Sequence, residues 1–309
     1  MKLANLLQLY FDKLFITDKW NIGYVNQTPE SLISLQKLND KINWLAEDKA
    51  DYAADPFITS IKGRTHIFYE ELNFWQGRGE IMVTEGLSFK RKKKVTGVMD
   101  GSIHLSYPYL LSVKDKLYCI PETSGAKQVA LYQVDKDNPQ KFKKIRVILR
   151  GEDFVDSSII YYQDKYWLFT SLSGKPGSLY IYCADTLLST FKAHALNPIA
   201  VGDNVSRSAG SLFTVNQKLY MPSQNPEQCY GGSIMINEIT SISETEFQYQ
   251  TVFELLPQQP YGRGLHTISF ADGLLIVDGK RSVKSMFNPI KKIVRKIRSH
   301  TKPVSNVRS

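Results

Sequence analysis

Val155-Asp156-Ser157-Ser158, followed by the turn Gln163-Asp164-Lys165 and the strand Tyr166-Trp167-Leu168-Phe169-Thr170-Ser171, decides how this 309-residue chain is read. The same order of polar opener, turn and aromatic-rich strand recurs four more times. Ala54-Asp55-Pro56-Phe57 precedes Gly63-Arg64 and His66-Ile67-Phe68, and Leu105-Ser106-Tyr107-Pro108 precedes Lys114-Asp115-Lys116 and Leu117-Tyr118. Ser206-Arg207-Ser208-Ala209 precedes Asn216-Gln217-Lys218 and Leu219-Tyr220, and Leu265-His266-Thr267-Ile268 precedes Asp272-Gly273 and Leu274-Leu275. Measured from Asp55 through Tyr107, Asp156 and Arg207 to His266, the separations are 52, 49, 51 and 59 residues. Five β-rich units with a period near 50 are the signature of a propeller. A β-sandwich of evenly spaced hairpins is the alternative, but its strands would open more often with Val or Ile than with these polar residues.

The expected fold is therefore all-β: a five-bladed β-propeller over 20–283, a short packing helix over 1–19, and a basic amphipathic tail over 284–309. Trp20-Asn21-Ile22-Gly23 lies about 30 residues ahead of the first unit and is expected to supply the outer strand that closes the ring, removing open sheet edges.

Cys119, Cys183 and Cys229 are too few and too scattered for a disulfide framework, and no pair has zinc-ligand spacing, so neither a metal nor a cofactor is expected. Asp12, Lys13 and Asp18 interrupt the apolar N-terminal stretch, which argues against an export signal. No segment approaches the roughly 20 apolar residues of a membrane span. These features point to a cytoplasmic protein. The formal charge of +9 is not spread over the chain: ten of the 39 basic residues fall from Lys280 onward with no acidic one among them, leaving 29 against 30 acidic residues in the body. From Pro289, the apolar residues Ile290, Ile293, Val294 and Ile297 recur at helical spacing between Lys291, Lys292, Arg295, Lys296 and Arg298. Those five cations are expected to face an anionic membrane surface, making the protein peripheral to the membrane's inner face. The run Lys90-Arg91-Lys92-Lys93-Lys94 is expected to face the same surface, or to be a solvated loop. Nucleic acid is not an expected partner, because the tail has no aromatic interleaving beyond Phe287.

Inner propeller strands converge on the channel, so the polar openers Asp55, His104, Tyr107, Asp156, Arg207 and His266 are expected to meet there. In order along the chain, Trp20-Asn21-Ile22-Gly23, Ala54-Asp55-Pro56-Phe57, Phe68-Tyr69-Glu70, His104-Leu105-Ser106-Tyr107-Pro108, Ile120-Pro121-Glu122, Val155-Asp156, Ser206-Arg207-Ser208-Ala209-Gly210, Gln224 with Tyr230-Gly231, His266-Thr267 and Val277-Asp278-Gly279 form one set. This set resembles the domain at the N-terminus of glucosamine inositolphosphorylceramide transferases and its stand-alone bacterial relatives. That domain in turn is similar to the five-bladed propellers of family 43 and family 32 glycoside hydrolases. The resemblance implies two channel aspartates, matched by Asp55 and Asp156, and a glutamate acid. Here the acid is Glu122, with Glu70 as the rival position, and the ambiguity sets this chain apart from simple hydrolases.

Glycosyl transfer passes through an oxocarbenium-like transition state, which carboxylates serve as base, nucleophile or charge stabiliser. Asp55 is the expected base or nucleophile, Asp156 the charge stabiliser, and Glu122 the acid. Glu70, His104, Tyr107, Arg207, Gln224, Tyr230 and His266 are the expected substrate contacts: Tyr107 and Tyr230 as sugar platforms, the two histidines toward hydroxyls, and Arg207 toward a phosphate. Asp55-Pro56 as a plain turn, Arg207 as an inter-blade ion pair and the histidines as structural groups remain the alternatives. Asp135-Lys136-Asp137, the one Asp-x-Asp in the chain, reads as a surface turn. The expected activity is transfer of a sugar from an activated donor to a lipid-linked acceptor in bacterial surface-polysaccharide synthesis. A family 43 type hydrolase and a non-catalytic carbohydrate-binding module are the alternatives.

Overall fold

The computed structural model describes residues 11–99, 101–173, 177–202 and 204–300. Their strands form five successive blades in four hydrogen-bonded sheets, the first and fifth blades being joined in one sheet by the parallel pairing of Trp20 with Tyr52. The first blade runs β3 (Tyr52–Ile61), β4 (Arg64–Leu72), β5 (Gly79–Glu85) and β6 (Lys93–Lys94). The second holds β7 (Ser106–Val113), β8 (Lys116–Glu122), β9 (Gln128–Val134) and β10 (Phe142–Arg150). The third holds β11 (Phe154–Tyr162), β12 (Lys165–Leu172) and β13 (Ser178–Ala184), edged by β14 (Lys192–Ala193) and β15 (Ala200–Val201). The fourth holds β16 (Phe213–Val215), β17 (Lys218–Asn225), β18 (Ser233–Ile242) and β19 (Phe247–Leu255). In the fifth, β20 (Ile268–Ala271) and β21 (Leu274–Lys284) are joined by β1 (Ile16–Asn26) and β2 (Asn43–Trp44) from the other end of the chain.

β1 pairs antiparallel with β21 along its whole length, from Ile16↔Lys284 to Asn26↔Leu274. It closes the ring as expected, but as the third strand of its blade, with β2 outside it. It also begins at Ile16, inside the segment expected to be helical. Residues 11–15 are helical, and residues 1–10 of that expected helix lie outside the described set. At the other end β21 runs on to Lys284, the first residue of the expected tail.

The first hairpin of each blade turns at the expected positions. Lys62-Gly63, Gln163-Asp164, Asn216-Gln217 and Asp272-Gly273 all have two consecutive positive φ angles, the backbone of the tight turn that matches right-handed strand twist. The apolar alternation fills the spaces between blades. Five separate buried clusters occupy the junctions, including Ile61, Phe68 and Leu117 between the first and second blades, and Val25, Ile234 and Leu275 between the fourth and fifth.

One irregularity repeats. In β3, β7 and β11 the register slips between Ala54 and Phe57, Ser106 and Tyr109, and Val155 and Ser158. The residues inside these bulges, Asp55, Tyr107 and Asp156, have φ of 51°, 42° and 49°. A β-bulge re-aims one side chain out of the alternation, and here it does so at the same place in three blades.

The helix Asn288–His300 follows β21 and packs on the body by its charged side. Lys291 Nζ donates to Asp51 Oδ1 at 2.7 Å, Lys292 Nζ donates to the carbonyls of Lys13 and Ile16 at 2.6 and 2.7 Å, and the Arg295 guanidinium lies 4.7 Å from the Phe74 ring centre. These three cations therefore do not face outward as expected. Lys296 also has an interaction partner, and the Arg298 side chain lies outside the described set. Within the second basic run, Arg91 pairs with Glu85, Lys92 with Asp48 and Glu71, and Lys94 with Glu80, so much of it is bound into the first blade. No helix among the described residues is long and apolar enough to cross a membrane.

Candidate functional site

The three bulges and the openers of the last two blades converge on the channel, where two hydrogen-bonded groups form. The first joins the first and fifth blades. Asp55, buried, accepts from Thr267 Oγ1 at 2.9 Å through Oδ1 and from the Tyr107 amide at 3.3 Å through Oδ2. His266 Nε2 stands 3.7 Å from the same Oδ1, while His266 Nδ1 lies 2.6 Å from Asp278 Oδ2. Asp278 accepts further bonds from the amides of Asp55, His266 and Thr267, all at 3.0 Å. Asp278 thus occupies the Nδ1 side of His266 and leaves Nε2 toward Asp55. Trp20 stacks on the imidazole at 4.0 Å between centroids and holds its plane. Gly231, at φ +61°, makes room, since a Cβ there would press on both Trp20 and His266.

Burial pushes the Asp55 carboxyl up to about 7, partly offset by His266. The His266 imidazole is raised, because the carboxylates of Asp278 and Asp55 outweigh the burial that opposes its charge. Asp55, His266 and Asp278 bring their donor atoms close enough to chelate a cation. However, each Asp278 oxygen already accepts two bonds, and Asp55 is engaged at both of its oxygens. The trio is thus a set whose carboxylate oxygens are already engaged, and not an open cation site.

The second group joins the second, third and fourth blades. Glu122 Oε2 accepts from the Asp156 amide at 3.2 Å. Asp156 Oδ2 accepts from Arg207 Nε and, at 3.2 Å, from Gln224 Nε2, which also donates to the Ser208 carbonyl at 3.0 Å. Arg207 lies over the Tyr230 ring, 5.3 Å from its centre. Desolvation in the channel, followed by the neighbouring Asp156 carboxylate, pushes Glu122 up to about 8. Between the two groups, His104 Nε2 reaches Glu70 Oε1 at 3.2 Å, and the Gly79 amide donates to His104 Nδ1 at 2.8 Å.

Nine of the ten expected channel residues offer a group to this space, and the tenth does not. Tyr107 is fully buried: its hydroxyl bonds Ser158 Oγ at 2.8 Å and the Gly210 carbonyl at 3.0 Å, and accepts from the Gly210 amide at 2.8 Å. It is a strut across the channel floor and not a sugar platform. Arg207 forms the inter-blade ion pair with Asp156 through its Nε. Tyr230, 53% exposed, is the open aromatic face at the rim. Asp135-Lys136-Asp137 is a surface turn, Asp135 Oδ1 accepting from the amides of Asp137 and Asn138. Sequence reasoning missed Asp278, Thr267 and Trp20 as members of the site. Each stood in the ordered motif set, but nothing local showed what it would touch.

Residues 43–264 match the profile of the family described as glucosamine inositolphosphorylceramide transferase 1, N-terminal. The chain belongs to this family. Its curated relatives include glucosamine inositolphosphorylceramide transferase 1 of Oryza sativa subsp. japonica, 27% identical over 207 residues, and that of Arabidopsis thaliana, 28% identical over 207. Each match covers 64% of this chain but only 28% and 27% of the relative, so the chain spans about a quarter of the length of these transferases. The glucosamine inositolphosphorylceramide transferase N-terminal fold is shared with the catalytic domain of a Coprinopsis cinerea GH62 α-L-arabinofuranosidase. The TM-score is 0.50 at 13% identity, covering 74% of this chain and 76% of that one.

Proposed function

We propose that the channel catalyses transfer of a sugar from an activated donor to a lipid-linked acceptor, with the protein at the inner, cytoplasmic face of a bacterial membrane during surface-polysaccharide assembly. The observation that carries this reading is a pair of desolvated carboxyls, Asp55 and Glu122, in the two hydrogen-bonded groups of one channel, raised to about 7 and about 8. Carboxyls raised into this range exchange protons near neutral pH, as general base and general acid chemistry requires. Asp55 takes the proton of the acceptor hydroxyl as that oxygen bonds the anomeric carbon. Glu122 gives its proton to the departing oxygen as the donor bond breaks. Asp156, held by Arg207 and Gln224, faces the positive charge that develops on the sugar ring. Tyr230 offers the ring on which the sugar stacks.

The deciding experiment incubates membranes and lipid-linked acceptor with a panel of activated sugars, comparing wild type with Asp55→Asn and Glu122→Gln. Extension of the lipid-linked glycan by wild type alone supports transfer, and release of free sugar without acceptor supports a hydrolase. A second reading, a carbohydrate-binding domain serving a partner transferase, draws on the relatives' much greater length. It is favoured if all three forms bind glycan equally and none transfers.

A further inference from the structure

The C-terminal helix turns its apolar stripe away from the protein. Ile290, Ile293 and Ile297 are 51%, 60% and 59% exposed, and Met286 and Phe287 just before the helix are also exposed. Met286, Ile290, Ile293 and Ile297 follow spacings of four, three and four residues, so they line one side of the helix. The opposite side is fixed by Lys291 on Asp51, Lys292 on two carbonyls and Arg295 on Phe74. Ion pairs that hold a helix with its apolar residues in solvent leave surface that water penalises.

The position of the helix is as informative as its orientation. Asp55 lies near the start of β3 and Glu70 near the end of β4, so the channel mouth is at those strand ends. Asp51, which anchors Lys291, directly precedes β3, and Phe74, which carries Arg295, follows β4 by two residues. Beyond Asp278, β21 runs six more residues to Lys284, about 20 Å at the usual rise, before the helix begins. The helix therefore stands on the same end of the propeller as the mouth, displaced toward the rim of the first and fifth blades.

We infer that this stripe inserts into the interfacial layer of an anionic membrane, and that the mount on Asp51 and Phe74 turns the channel mouth toward the lipid headgroups. The charge beside the stripe selects this occupant: Lys284 and Lys296 are exposed next to it, and from Lys280 onward the chain has no acidic residue. A second copy of the helix would bring like charge against like charge along the seam, whereas an anionic leaflet attracts these exposed cations. The inference deepens the transfer reading by giving the lipid-linked acceptor a route to the mouth, yet its test involves no sugar.

The test is flotation of the full chain with vesicles of phosphatidylcholine containing phosphatidylglycerol, against phosphatidylcholine alone. Wild type floats with the anionic vesicles. The variant Ile290→Ser, Ile293→Ser, Ile297→Ser, whose changes are all solvent-facing, melts as wild type does but loses binding by about tenfold or more. Lys291→Gln, which alters a cation facing the body, changes binding by about twofold or less, and Asp55→Asn does not change it. Failure of wild type to bind anionic vesicles overturns the inference, as does undiminished binding by the triple variant. So does lipid-free self-association of wild type, seen by sedimentation and lost in the triple variant, because the stripe would then be a seam between chains.

Discussion

The channel is lined by two carboxylates in the same bulge of different blades, and their surroundings differ. Asp55 is enclosed by hydrogen bonds from Thr267 and the Tyr107 amide, by His266 at 3.7 Å, and by Asp278, which accepts from its amide, all reaching across from neighbouring blades. Asp156 is instead ion-paired directly with Arg207 and accepts a hydrogen bond from Gln224, while its amide donates to Glu122. One bulge geometry thus has two settings: Asp156 has a cation at contact distance, while Asp55 has an imidazole held back at 3.7 Å and a carboxyl raised by burial.

The contrast breaks most completely at Asp55. Asp55→Asn keeps the shape but cannot accept a proton, and turnover should fall about 10³-fold with little change in melting temperature. Steady-state transfer assays beside circular dichroism check both halves. Glu122→Gln should lower turnover about 10²-fold, and a donor whose leaving group needs no proton should restore it. That same donor should leave Asp55→Asn inactive; rescue of both variants would erase the distinction between the two sides.

Asp278→Ala should destabilise the fold by about 3 kcal/mol, since three amides and an imidazole lose their acceptor in a buried place. Denaturant unfolding measures this, and a loss below about 1 kcal/mol would show that water replaces the carboxylate.

The smallest effect is on pH dependence. Asp55 and Glu122 are raised to about 7 and about 8, so the native state holds protons that the unfolded chain has already released. Stability should therefore fall as pH rises from about 5 through 8, and the raised His266 adds to the same slope. Melting curves of wild type and Asp55→Asn across this range check it, the variant having the shallower slope. Transfer itself should peak between about 7 and 8, where Asp55 has lost its proton and Glu122 still holds one.

The five openers were legible in the sequence because period and polarity are local properties, and Asp55, Asp156, Arg207 and His266 reach the channel for that reason. Partnerships were not. Thr267 and Asp278 meet Asp55 across 212 and 223 residues of chain, and only ring closure brings them together. Tyr107 was misjudged because its position in the repeat matches that of Asp55 and Asp156, while its length lets it cross the channel floor to Ser158 and Gly210. In the tail, the helical period was readable. Which side faces the body was decided by Asp51 and Phe74, more than 200 residues away.

The pairing of β1 with β21 also orders events in time. During synthesis Ile16–Asn26 leaves the ribosome well before Leu274–Lys284, so β1 waits for its partner while the intervening blades form. His266 and Asp278 arrive with that last blade. The set of contacts around Asp55 therefore exists only in molecules whose β1 and β21 have met, and a chain that stalls before β21 carries the first aspartate without the histidine that tunes it.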